Sequence, residues 1–162
     1  MQPERAVAAL RASGHVVATA ESLTGGLLCA TLVDVPGASE VVAGGIVAYG
    51  IDVKTGVLGV DAELIAERGT VDAETARQMA LGALRRVPGA TMGVSTTGVA
   101  GPEPSEGRPV GTVFVAVADA GGVHVEQLAL SGDRRTIRER TVDAALRVLV
   151  DRVGEETRPG GR

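Results

Sequence analysis

The sequence predicts an α/β fold, a three-layer α/β/α sandwich on a mixed, mostly parallel sheet. Three observations carry that expectation. Strand-length apolar runs alternate with helical segments through most of the chain, giving the order α-β-α-β-α-α-β-β-β-α. Connections that pass through helices favour parallel pairing of the early strands. Late in the chain, two apolar runs flank Asp119-Ala120-Gly121-Gly122, a hairpin signal that forces at least one antiparallel strand.

The elements follow in order. Residues 3–13 read as a helix, with Pro3 suited to its first turn and Gly14 ending it. His15–Ala20 is a short apolar strand. Glu21-Ser22-Leu23-Thr24-Gly25-Gly26 breaks the pattern, and a small-residue helix runs over Gly26–Leu32. Val41–Tyr49 is the second strand, with a Gly-Gly inside it. Asp61–Arg68 and Asp72–Val87 are amphipathic helices for which Asp61 and Asp72 are good N-caps. Ala90–Thr96 is the third strand, ended by the Gly/Pro-rich stretch Gly98–Pro109. Val110–Ala118 and Val123–Leu130 form the hairpin, and Arg135–Val153 is the last helix. Residues 154–162 read as a frayed tail behind a single domain over 1–153.

Composition bounds the function. With 44% hydrophobic residues and 1% aromatic, the core must be aliphatic. A net charge of −4 and the lack of a basic run remove the electrostatic footprint of a nucleic-acid binder. The single cysteine, Cys29, excludes an internal disulfide and a cysteine-based zinc cluster, and no His/Asp/Glu spacing suggests a metal site. No stretch has the pattern of a signal peptide or the length of a membrane span, so a cytoplasmic protein without a membrane partner is expected.

Four segments could carry chemistry. Ser22 lies at a strand-to-helix junction, where the amides of Leu23 and Thr24 could bind an anion or an oxyanion; it is either a nucleophile or simply the cap of the helix. Of 16 basic residues only Lys54 is a lysine, five positions after the only tyrosine, Tyr49. Unlike a guanidinium, a buried amine can lose its proton and act as a base. A serine needs such a base, and neither His15 nor His124 is suited to the role, which leaves a Ser–Lys pairing. Ser95-Thr96-Thr97-Gly98-Val99-Ala100-Gly101-Pro102 offers hydroxyls and glycine amides to a phosphate or oxyanion. Gly132-Asp133-Arg134-Arg135-Thr136-Ile137-Arg138 sets arginines at a helix start, where Asp133 fits as N-cap and the arginines are best tolerated facing an anion.

In order, Ala20–Gly26, Val47-Ala48-Tyr49 with Lys54, Thr97–Pro102, Pro109–Val113 and Gly132-Asp133-Arg134 with Arg138 resemble the CinA C-terminal domain family, the nicotinamide-nucleotide amidohydrolases. The resemblance covers roughly residues 5–152 and suggests the stand-alone form. It implies an anticodon-binding-domain-like fold, no cofactor or metal, a homo-oligomer, and hydrolysis of the carboxamide of nicotinamide mononucleotide to nicotinate mononucleotide and ammonia. It implies catalytic roles for Ser22, Lys54, Tyr49 and Thr97. It implies substrate binding by Thr24, Gly25, Gly26, Gly98, Gly101 and Arg138, with Arg138 first choice for the phosphate. Two departures stand out: Gly50-Ile51 after the tyrosine, and Glu103-Pro104-Ser105-Glu106 where relatives run through glycines. Two carboxylates there are expected to repel a phosphate. A Ser–Lys amidase on another small substrate, or a non-catalytic nucleotide-binding or interaction module, are the alternative readings.

Overall fold

A computed structural model describes residues 2–156. Its five strands are β1 (Val17–Glu21), β2 (Val42–Val47), β3 (Met92–Gly98), β4 (Thr112–Asp119) and β5 (Gly122–Ala129), in the sheet order β2-β1-β3-β4-β5. β1 pairs in parallel with β2 and β3, whereas β3–β4 and β4–β5 are antiparallel. All strands but β4 therefore point the same way. This is the α/β sandwich on a mixed sheet that the sequence predicts.

The helices are α1 (Pro3–Ser13), α2 (Leu27–Val33), α3 (Ile51–Gly56), α4 (Ala62–Arg68), α5 (Ala73–Arg86) and α6 (Arg134–Glu156), with a 3-10 turn at Ala38–Glu40. Gly14 ends α1 in the left-handed conformation, and Asp61 and Asp72 cap α4 and α5 through the amides of Glu63 and Glu74, all as predicted. Two elements went unpredicted: the 3-10 turn and α3. The latter is six residues long and buries a single side chain, so it carries no hydrophobic period to detect. α6 continues through Glu156, past the predicted end at Val153; the rest of the predicted tail lies outside the described residues. No described helix is long and apolar enough to cross a membrane.

The two faces of the sheet are packed differently. Val17, Met92, Val94, Val113, Val115 and Val117 meet α1, α2 and α6 through Leu10, Leu28, Leu32, Ile137, Leu146 and Leu149. The opposite face is lined by small residues. Ala18 and Ala20 pack against Met79 and Ala83, and Ala116 and Ala118 pack near Ala76 and Ala80. α5 consequently lies very close to the sheet: a Cβ on Gly93 would enter the van der Waals shell of the Ala80 carbonyl oxygen. The central strands β1, β3 and β4 are buried almost throughout, while the edge strands β2 and β5 alternate.

Register sets the position of the site. Glu21, the last residue of β1, lies opposite both Val47 of β2 and Thr96 of β3. β1 and β2 thus end level while β3 runs on from Thr96 to Gly98, and the segments leaving β1 and β2, at Ser22 and Ala48, emerge beside the end of β3. β1 leads into α2 on one face of the sheet and β2 leads toward α5 on the other. Diverging connections of this kind open a crevice beyond the carboxyl ends of the strands.

Candidate active site

Ser22 follows β1 directly, with its amide still donating to Thr96 O at 2.9 Å. The chain then turns sharply: Gly25 donates to Ser22 O, and Gly25 (φ 61°) and Gly26 (φ 96°) are both left-handed, a conformation that suits glycine. α2 starts only at Leu27, and its N-cap residue is Gly26. Ser22 is therefore not the helix cap. That role falls to Glu21, a residue the sequence reading passed over. Its buried carboxylate accepts from the amides of Gly26 (3.0 Å), Leu28 (3.0 Å) and Cys29 (2.8 Å) and from the Thr19 hydroxyl (3.2 Å). Four donors saturate an ionised carboxylate. The positive end of α2 is thus neutralised internally, and Ser22 is left out of the helix's hydrogen bonding.

Arg138 holds the same turn from the other side. Its Nε donates to Leu23 O at 2.9 Å and its Nη2 to Thr24 O at 2.8 Å. Glu21 takes the N–H groups and Arg138 the C=O groups, so the serine turn is fixed by opposite charges. Thr24 braces it further, its fully buried hydroxyl 2.7 Å from that of Thr96.

Lys54 is delivered by α3, whose N-cap Gly50 has ordinary extended geometry and open space beside it. The departure at Gly50 thus has no steric cause. The Lys54 side chain is the one α3 buries, with 1% of the residue exposed. Its Nζ donates to Ser22 Oγ at 3.1 Å, Ala48 O at 2.6 Å and Tyr49 O at 3.1 Å. Burial lowers its pKa from the ordinary 10.5 to about 8, opposed by the field of Glu106, which favours the ammonium. A short helix has turned the lone lysine inward onto the serine.

The cleft above this pair has a volume of about 200 Å³ and is lined by residues that include Ser22, Tyr49, Thr70, Gly98, Ser105 and Arg134. Tyr49 is 62% exposed, and its hydroxyl accepts from Arg134 Nη2 at 3.1 Å. Arg134 Nη1 also donates to Gly101 O at 2.7 Å, tying the start of α6 to the loop after β3.

The Glu103–Glu106 departure takes an unexpected form. Ser105 and Arg108 pair through both backbone bonds, with Glu106 (φ 52°) and Gly107 (φ 70°) at the tip of a tight turn. Glu106 then reaches across to accept from the amides of Thr70 (2.7 Å) and Val71 (3.1 Å) and from the Thr70 hydroxyl (2.9 Å). These bonds hold a side chain-bearing residue in a conformation that usually calls for glycine. The carboxylate is satisfied by the wall of the cleft, which corrects the expectation that both acidic residues of this segment would face a phosphate.

Of the predicted site residues, Ser22, Lys54, Tyr49 and Gly98 come together around the cleft. Gly101 lends its carbonyl to Arg134. Thr24, Gly25, Gly26 and Arg138 build the serine turn behind them: Thr24 is buried, Gly26 gives its amide to Glu21, and Arg138 is engaged by carbonyls. Thr97 is also buried, its hydroxyl donating to Thr70 O at 2.7 Å. Glu21, Glu106 and Arg134 were not singled out as site residues. Arg134 and Glu21 were visible as the neighbours of Asp133 and Ser22; nothing in the sequence announced that Glu106 would cross to Thr70. Among the described residues, no group of three or more His, Cys, Asp or Glu side chains could hold a metal ion.

Fold and site together define an α/β sandwich that holds a serine, on a charge-clamped turn, against a buried lysine at the carboxyl ends of its parallel strands. The sequence profile of the CinA C-terminal domain matches residues 2–153, and the chain belongs to that family. It is 50% identical over 130 residues to a CinA-like protein of Frankia casuarinae, covering 80% of this chain and 30% of that one. It is 47% identical over 148 residues to a CinA-like protein of Anaeromyxobacter sp. strain K, covering 91% and 36%. The chain thus spans about a third of the length of these curated relatives. Among solved structures, the competence/damage inducible protein CihA of Agrobacterium tumefaciens superposes with a TM-score of 0.88 at 38% identity, covering 93% of this chain and 92% of that one. A CinA superfamily protein of Klebsiella pneumoniae gives 0.91 at 31% identity, covering 94% and 96%. These names state no reaction.

Proposed function

We propose that the cleft hydrolyses the carboxamide of nicotinamide mononucleotide to nicotinate mononucleotide and ammonia. The observation that carries this reading is the 3.1 Å contact between Lys54 Nζ and Ser22 Oγ at a buried lysine whose pKa is lowered to about 8. A serine hydroxyl is a poor nucleophile until a base removes its proton, and a desolvated amine is such a base. Lys54, in its neutral form, accepts the Ser22 proton as Oγ attacks the carboxamide carbon. The backbone amides of the turn after Ser22 are the nearest candidates to receive the oxyanion. The lysine, now an ammonium braced by Ala48 O and Tyr49 O, returns the proton to the leaving nitrogen, and ammonia departs. Water then attacks the acyl-Ser22 ester as Lys54 takes its proton; the ester C–O bond breaks, Lys54 returns that proton to Ser22 Oγ, and the product acid is released as its carboxylate, its proton passing to solvent.

The test is ammonia release from nicotinamide mononucleotide by the wild type, Ser22→Ala, Lys54→Arg and Lys54→Met. All three variants are expected to lose activity by at least about 10³-fold. Lys54→Met fills the same space without an amine, so retained activity in that variant or in Lys54→Arg would remove the base from the mechanism.

A further inference from the structure

A small anionic substrate needs a cation or a set of free amides, and in this cleft most of the evident ones are already engaged. The first amides of α2 are taken by Glu21, and the Thr70 and Val71 amides by Glu106. The Arg138 guanidinium is held by Leu23 O and Thr24 O, and the Lys54 ammonium is buried on Ser22, Ala48 O and Tyr49 O. Among the described residues, one charged side chain remains in the cleft lining, that of Arg134. Its bonds to Gly101 O and Tyr49 Oη use two of its five N–H groups and fix the plane of the guanidinium, leaving three donors for a ligand.

We infer that Arg134, rather than Arg138, recognises the anionic group of the substrate, a terminal phosphate monoester, at the mouth of the cleft. This inference rests on the amidase reading for its substrate and deepens it by assigning specificity to a particular side chain. An arginine fork suits a phosphate because two parallel N–H groups can meet two oxygens. Holding it to Tyr49 Oη and Gly101 O pre-pays the ordering of a long side chain. Both anchoring segments also border the chemistry: the Tyr49 carbonyl accepts from Lys54, and Gly101 closes the loop that begins at Gly98. A phosphate bound here would be registered against the serine by the same loops that build the site.

The experiment compares nicotinamide mononucleotide with nicotinamide riboside, which lacks the phosphate, in the wild type, Arg134→Gln and Arg134→Lys. The quantity read is the ratio of kcat/KM for the two substrates. The wild type is expected to prefer the mononucleotide. Arg134→Gln is expected to reduce that preference about 10- to 100-fold, mainly through KM, and Arg134→Lys to restore part of it. A parallel calorimetric titration with the product, nicotinate mononucleotide, against nicotinate riboside reads recognition without turnover. Phosphate-dependent binding that Arg134→Gln removes, with no ammonia released by the wild type, would refute the amidase reading while upholding Arg134. An unchanged phosphate preference in Arg134→Gln, an equal loss for both substrates, or wild-type binding indifferent to the phosphate would each overturn the assignment.

Discussion

Glu106→Gln gives the sharpest test of how the cleft governs its base. The side chain amide keeps one oxygen for the Thr70 and Val71 amides, and the Thr70 hydroxyl can rotate to accept from its nitrogen, so the loop stays in place. What disappears is a negative charge whose field holds the Lys54 ammonium in its charged form. The sign follows: without that charge the lysine releases its proton at lower pH. With a wild-type pKa of about 8, about one lysine in eleven is neutral at pH 7; at the ordinary 10.5 it would be about one in three thousand. Burial has therefore raised the reactive fraction about 300-fold, and about elevenfold is the most that any further lowering can add at pH 7. At pH 9, where about ten lysines in eleven are already neutral, almost nothing can be gained. Rates of ammonia release measured from pH 6 to 10 should rise with pH to a plateau. The rise should be centred near 8 in the wild type and at lower pH in Glu106→Gln, with a gain at pH 7 of less than about elevenfold and none at pH 9. A variant that loses activity equally at both pH values, or whose profile moves to higher pH, would refute the electrostatic argument.

Two further outcomes follow from the packing. Glu21→Ala leaves three amides at the start of α2 without their acceptor, which should cost about 3 kcal/mol or more and lower the Tm by about 6–12 °C in calorimetric unfolding; a change under 2 °C would show that solvent replaces the carboxylate. Gly93→Ala puts a methyl group into the Ala80 carbonyl, forcing α5 off the sheet, and should leave little folded protein in a soluble-expression and circular-dichroism comparison.

Where the sequence was legible, physical periodicity or local chemistry made it so. β1 and β3 open on apolar residues and β4 is apolar from Val113 to Ala118, Asp61 and Asp72 are side chains with a capping habit, and the Asp119–Gly122 turn announces its hairpin. α3 was not legible because a helix of six residues with one buried side chain has no repeating face, and that side chain is a lysine, which hydropathy reads as surface. The pairing of Ser22 with Lys54 was reached by elimination and by resemblance; the geometry adds the two carbonyls that fix the amine. Arg138 shows where such reasoning reached its end. An arginine near a candidate anion site looks like a ligand for the anion, and only the fold reveals that backbone carbonyls hold it first. Glu106 depended on a loop crossing to residues 36 positions away, information that no local pattern contains.

The lone buried lysine also gives the molecule a built-in reporter. An endoprotease that cuts only after lysine finds a single susceptible bond in this sequence, Lys54–Thr55, which would divide the chain into fragments of 54 and 108 residues. Because that lysine is 1% exposed and anchored by three hydrogen bonds, cleavage must wait until α3 lifts away from Ser22. The digestion rate therefore measures how often the nucleophile and its base part company, one bond at a time, with no label added to the protein.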